Sequence, residues 1–179
     1  MRIRRLSTVI IFACVGFCAA VPDDYTDAIV GFSFVKLPGW ALDPHAPVLG
    51  GPGQCVGVKD PDAPAPEFIN ICGKPNNTEP DKIEQGLRSG LANYISATSA
   101  RWGTELRLRP GSSIMTEIGG TKALSAVLDY TRGGQAGVSY IVWLQTDKTR
   151  LSLIGETDPS NLERLIARLK PIRDSIRIP

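Results

Sequence analysis

The sequence predicts an α+β fold: a twisted antiparallel sheet flanked by two helices. Two changes of hydrophobic period carry that expectation. Apolar residues recur at helical steps from Ile83 to Trp102, at alternating steps from Leu106 to Gly155, and at helical steps again from Leu162 to Ile172. A third observation is the run of short turns between the alternating segments, which makes them an antiparallel meander.

Along the chain, Val30, Phe32 and Phe34 alternate with Gly31, Ser33 and Val35, a strand pattern over 30–36. Leu37-Pro38-Gly39 closes it with a turn before Trp40. Residues 41–66 are rich in Pro and Gly, with short strands expected over 54–58 and again over 67–72. If both form, Cys55 and Cys72 sit on neighbouring strands or a hairpin, close enough to bridge.

The first helix is expected near 80–102. Thr78 would be its N-cap and Asp81 the matching residue of a capping box. Ile83, Leu87, Leu91, Tyr94, Ile95, Thr98 and Trp102 form its apolar stripe. Gly86 and Gly90 weaken its intrinsic propensity, so packing must hold it, and they allow a close approach to the sheet. Strands follow with Leu106 and Leu108 alternating against Arg107 and Arg109, then over 114–118, 122–131, 138–146 and 150–155, with Gly119-Gly120 and Gly133-Gly134 as turns. The second helix is expected near 159–176, with Asp158 at the N-cap and Pro159 at the first position. Pro171 should kink or end it. The expected core is Phe32, Phe34, Leu87, Leu91, Leu128, Ile141, Trp143, Leu153, Leu165 and Leu169.

Residues 1–20 have the layout of a secretory signal peptide: Arg2, Arg4 and Arg5, an uncharged stretch from Leu6 to Ala20, and the small-residue site Cys18-Ala19-Ala20. The stretch is short for a membrane span, which takes about 20 apolar residues. The expectation is therefore residues 21–179 as one secreted domain, secreted or held at the cell envelope, with membrane contact at most peripheral. Cys14 and Cys18 fit a lipid-attachment site poorly, because bulky Phe12 and Phe17 stand close before them. The leader carries three of the 20 basic residues and none of the 18 acidic ones, leaving 17 against 18 and a mature charge of −1. That balance argues against a nucleic-acid partner, which selects clustered Lys and Arg. Cys55 and Cys72 remain as a pair in an oxidising compartment and read as one structural disulfide. The competing metal or redox reading lacks a C-x-x-C spacing.

Catalytic parts are scarce. His45 is the only histidine and lies in a Pro-flanked loop; no G-x-S-x-G or phosphate-loop pattern occurs. A zinc set of His45, Cys55, Cys72 and a carboxylate is formally available, but the disulfide removes two of its members. Asp23, Asp24 and Asp27 read as a solvated terminus rather than calcium ligands. Asn76-Asn77-Thr78 fits a glycosylation acceptor, with a loop and helix cap the simpler reading. The remaining carboxylates, Glu84, Asp129, Asp147, Glu156 and Glu163, are expected on polar faces or in turns with solvated pKa values. No catalytic residue, cofactor or metal is expected. Trp102 and Trp143 read as core; with Trp40 they become the candidates for an apolar groove if one sheet face is left uncovered.

Gly31-Phe32-Ser33-Phe34 with Leu37-Pro38-Gly39-Trp40, the strand Tyr140-Ile141-Val142-Trp143-Leu144 and the ending Ile172-Arg173-Asp174-Ser175-Ile176 resemble PsbP-like domains over about residues 28–178. Within that fold the chain is most similar to actinobacterial secreted LpqN-type lipoproteins and the alanine- and proline-rich secreted antigen. The Cys55/Cys72 pair is not part of the shared pattern. The resemblance implies a secreted or envelope accessory protein without catalysis, its relatives being associated with host-matrix binding, envelope lipid trafficking partners or an extrinsic photosystem role. Two function classes follow: a non-enzymatic binding or accessory protein with a protein or envelope-lipid partner, and a carrier or chaperone for an apolar lipid ligand.

Overall fold

The computed structural model describes residues 24–43, 54–63 and 67–179. The leader, His45 and Asp23 lie outside the described residues. Among the described residues an eight-stranded antiparallel sheet forms the centre. Its strands are β3 (Ala41–Asp43), β4 (Gln54–Lys59), β5 (Phe68–Pro75), β6 (Arg107–Leu108), β7 (Ile114–Ile118), β8 (Thr121–Arg132), β9 (Gln135–Gln145) and β10 (Thr149–Thr157). Their order is β3-β4-β5-β10-β9-β8-β6, and β7 also pairs with β8. A separate two-stranded ladder joins β1 (Asp24–Thr26) to β2 (Ser33–Val35). Helix α1 spans Ile83–Trp102 and α2 spans Leu162–Ser175.

The meander β7-β8-β9-β10 is present, as expected from the spacing. Two of its turns are Gly-Gly pairs. Gly119 and Gly120 have φ of 57° and 80°, and Gly133 and Gly134 have 59° and 79°. A two-residue hairpin turn whose twist matches the strands needs positive φ at both central positions, which only glycine adopts freely.

The two helices cover opposite faces of the sheet. Even-numbered residues of β8, Leu124, Ala126 and Leu128, pack with Ile141, Trp143 and Ile154 against Leu87 and Leu91 of α1. Their strand neighbours Ala123, Val127, Val142, Leu144, Leu151 and Leu153 point the other way, against Leu165, Leu169 and Ile172 of α2. That is why β9 is buried from Gly137 to Gln145 without a solvent-facing side. All ten expected core residues are buried. At Gly90 a Cβ would stand 3.1 Å from the Trp143 ring, so the missing side chain does allow α1 to approach the sheet closely.

Several local expectations need correction. The strand expected over 30–36 is three residues long, β2 at Ser33–Val35. The Asp27 carboxylate accepts bonds from the Ile29 and Val30 amides, and Gly31 turns with φ 82°, so the chain is not extended there. Asp27 is thus a buried turn-forming residue and not part of a solvated terminus. Phe32 and Phe34 remain inward, and Ser33 exchanges two 2.9 Å backbone bonds with Arg177. Thr78 does not cap α1. Its hydroxyl donates to Asn76 Oδ1 and its amide to the Asp147 carbonyl, so a 3-10 turn at Pro80–Lys82 precedes α1. Asp158 precedes a second 3-10 turn, Pro159–Asn161, without a side-chain cap bond. Pro171 does not end α2, which continues to Ser175 because Ile172 and Ile176 are still buried beyond it. Leu106 is buried but Leu108, on the edge strand β6, is 40% exposed.

A charged cluster anchors α2. The buried Asp60 carboxylate accepts from Arg168 Nη2 at 2.6 Å and Arg164 Nη2 at 3.3 Å. Arg164 Nη1 also donates to Glu67 at 2.9 Å, and Arg168 lies 5.4 Å from the Trp40 ring centre. Burial pushes the Glu67 carboxyl up, against the opposing pull of Arg164. Cys55 and Cys72 are direct partners across β4 and β5, with Cα atoms 4.1 Å apart, and are joined in a disulfide.

Candidate binding site

At one end of the α1 face, four strands bring unlike residues together. Glu156 on β10 is in register with Ser139 on β9 and with Phe68 on β5. Tyr130 on β8 is in register with Gly137 on β9. The Tyr130 ring lies over Gly137, where a Cβ would approach ring atoms to 2.4–2.6 Å. Trp102, the last residue of α1, meets Tyr130 edge-on with ring centres 5.4 Å apart. The Arg132 guanidinium stands 5.0 Å from the Trp102 ring centre and 5.9 Å from that of Tyr130, a cation held over two aromatic faces.

Glu156 is the chemical focus of this arrangement. It is 6% exposed. One carboxyl oxygen accepts from the Ser139 hydroxyl at 3.5 Å, and the nearby Tyr130 hydroxyl also favours the charged form. Among the described residues no Lys or Arg forms an ion pair with it. Burial pushes its carboxyl pKa up, while Arg132 and the Ser139 and Tyr130 hydroxyls pull the other way. The same burial, reinforced by the Glu156 charge, pushes the Tyr130 phenol up to about 12. Tyr94 on α1, 5.6 Å from the Trp143 ring, is likewise pushed up to about 12, by burial and then by Glu156.

A cleft of about 90 Å³ opens beside Glu156, lined also by Phe68, Tyr130, Arg132, Gln135 and Asp158. A shallower hollow of about 380 Å³ lies beyond Tyr130 and Gly137. Its charges are already paired, Glu105 with Arg107 at 2.7 Å and Asp129 with Arg109 at 2.6 Å. Small-molecule pockets usually run from about 300 to 1,000 Å³. The cleft at Glu156 therefore fits a small polar head group and not a lipid chain.

The sequence-based candidates are distributed differently from the expectation. The three tryptophans do not line one groove. Trp40 belongs to the α2-side core, whereas Trp102 and Trp143 are on the α1 side. The split follows from the elements that carry them: Trp40 sits in the segment before β3, Trp102 ends α1, and Trp143 is on the α1 face of β9. Glu156 is a second correction: it is buried rather than solvated, because β10 runs past Gly155 to Thr157 and keeps its inward register with Ser139. The sequence signal was the even spacing of Ser152, Ile154 and Glu156, masked by the glycine between them. The Asn76 side-chain amide donates to the Thr146 carbonyl at 2.9 Å. No group of three or more His, Cys, Asp or Glu residues with metal-holding geometry occurs among the described residues. Nor is any described helix long and apolar enough to cross a membrane.

This architecture is the PsbP-like fold. The cyanobacterial PsbP (CyanoP) of Synechocystis sp. PCC 6803 superposes with a TM-score of 0.64 at 11% identity, over 94% of this chain and 99% of that one. LpqN of Mycobacterium tuberculosis, a protein involved in cell envelope biogenesis, superposes with a TM-score of 0.57 at 14% identity, over 90% of this chain and 87% of that one. No protein-family model matches the chain, and no curated protein matches it in sequence.

Proposed function

We propose that the chain is a secreted or envelope-held, non-enzymatic binding or accessory protein that engages its partner through the Glu156 cleft. The observation that carries this reading is a buried carboxyl, without an ion-pair partner among the described residues, opening into a cleft walled by Phe68 and Tyr130. A buried polar group is costly unless satisfied, and a hydroxyl at 3.5 Å satisfies it weakly. Such a site is better matched to holding a ligand group than to stabilising the fold. The disulfide supports an oxidising location. The similarity to LpqN, which acts in envelope biogenesis, supports the same address. The non-enzymatic part rests on the company Glu156 keeps. Ser139 is fully buried, out of a substrate's reach, and the Tyr130 phenol is pushed up to about 12, so neither hydroxyl is poised as a nucleophile. The lipid-carrier alternative draws less support, since the tryptophans are divided between two cores and the cleft is small.

The test compares wild type with Glu156→Gln as bait in envelope extracts of the source organism, with an exposed edge substitution, Ile114→Ser, as control. Capture of a defined partner by wild type and the control, with loss by Glu156→Gln, is expected. Equal capture by all three removes the cleft from the function. Mass spectrometry of lipids retained by the purified protein tests the carrier reading directly.

A further inference from the structure

We propose that the Glu156 cleft takes a primary alkylammonium group, seated against the carboxylate between Tyr130 and Phe68. This rests on the reading of the cleft as the binding site and adds the chemistry of its ligand. Three independent features point to a cation. The cleft lining carries two carboxylates, Glu156 and Asp158, against one guanidinium, Arg132. That guanidinium is engaged over Trp102 and Tyr130 and makes no ion pair with Glu156 among the described residues. The walls also include the Phe68 ring, and the face of an aromatic ring attracts cations.

The size agrees. A cleft of about 90 Å³ has room for roughly three water-sized occupants. An ammonium with the first methylenes of its stem fits that space, whereas a planar aromatic ligand or an acyl chain does not. The placement of Glu156 also favours a cation on energetic grounds. A buried carboxylate gains more from an opposite charge than an exposed one, because less water competes. Ser139 donates to one carboxyl oxygen at 3.5 Å, and Glu156 itself lines the cleft.

Arg132 has a definite part in this arrangement. It is the like charge that an incoming cation meets, and it lowers the affinity of the site. An anionic ligand would be drawn to Arg132 instead. The two possibilities therefore respond in opposite directions to its removal.

The experiment uses the mature chain and observes the Glu156 side-chain carboxyl carbon by NMR. The probes are Nα-acetyl-lysine methylamide and glycerophosphoethanolamine, which present the same ammonium from a protein and from a lipid head group. Nα-acetyl-norleucine methylamide, which lacks the ammonium, and acetate are the controls. Saturable shifts are expected with one or both ammonium probes and with neither control. The tighter of the two assigns the source. Glu156→Gln is expected to weaken the ammonium probe at least tenfold, followed at the remaining cleft resonances, and Arg132→Gln to strengthen it severalfold. Binding of acetate that Arg132→Gln abolishes overturns the proposal, as does equal binding of the norleucine probe. If Glu156→Gln abolishes partner capture while no ammonium probe binds, the ligand assignment falls and the cleft's role stands. If Glu156→Gln leaves capture intact, the role itself falls.

Discussion

Tyr130 occupies the volume that any side chain at its cross-strand partner Gly137 would need. The ring lies against the β9 backbone, with three of its atoms within 2.6 Å of where a Gly137 Cβ would stand. This pairing sets the wall of the cleft, since Tyr130 also meets Trp102 and lines the cleft with Glu156.

Gly137→Ala is therefore expected to displace Tyr130. The destabilisation should be about 1–3 kcal/mol, the usual range for an overpacked site. In a Tyr130→Ala background the same change should cost less than about 0.5 kcal/mol, because the ring it collides with is gone. Urea denaturation of the four proteins measures the coupling. An unchanged cost in both backgrounds would show that the ring does not set the requirement for glycine.

Glu156 gives a signed pH dependence. Its folded pKa is raised, so the folded state holds the proton more tightly than the unfolded chain. Its contribution is fully present below the unfolded carboxyl value near 4.5 and is lost as pH rises through the folded value. The groups that bear on it are Tyr130 and Arg132 on β8, Ser139 on β9 and Tyr94 on α1. Glu67 is raised as well and adds a slope of the same sign. Asp174 is held low by Arg173 and acts oppositely, losing its contribution as pH falls below 3.8. Glu156→Gln should flatten the decline in stability above pH 4.5 and leave the acid limb unchanged. A chemical denaturation series across pH reads both limbs.

Removal of the disulfide should cost about 3 kcal/mol on the chain-entropy account, for a loop closed over a separation of 17 residues. The β4–β5 backbone ladder remains in the Cys55→Ala/Cys72→Ala protein, so the fold should persist at lower stability. Circular dichroism with urea titration checks both statements. Two alkylatable thiols in the purified wild-type protein would count against the bond itself.

Asp60→Ala should cost about 2–3 kcal/mol. It removes the acceptor shared by Arg164 and Arg168, and hydrogen bonds to charged groups are each worth about 1.5–3 kcal/mol. The two arginines are about a third exposed and recover part of that in water. Hydrogen exchange should show the loss concentrated in α2, which these contacts hold to the β4–β5 connection. A loss spread evenly over the sheet would contradict the anchoring role.

Much of the fold was legible because the physics behind it is local. The period of Leu87, Leu91, Leu165 and Leu169 is a property of one helix turn after another, and the Gly-Gly hairpins are a property of two residues' φ angles. The disulfide followed from two cysteines on adjacent short strands. Where local signals failed, a distant contact had overridden them. Thr78 was drawn from its cap to the Asp147 carbonyl, and α2 ran through Pro171 because Ile176 still had a core to reach. The site lay furthest from view. Glu156 reads as an ordinary carboxylate until β9 and β5 place Ser139 and Phe68 on either side of it. Trp40 reads like Trp143 until the sheet puts them in different layers. The sequence alone determined the order and type of the two helices and of the meander between them, because those depend on neighbours along the chain, whereas β1 and β3 emerged only with the structure. Only the tertiary structure decided which carboxyl loses its water, because desolvation depends on what packs across the strands.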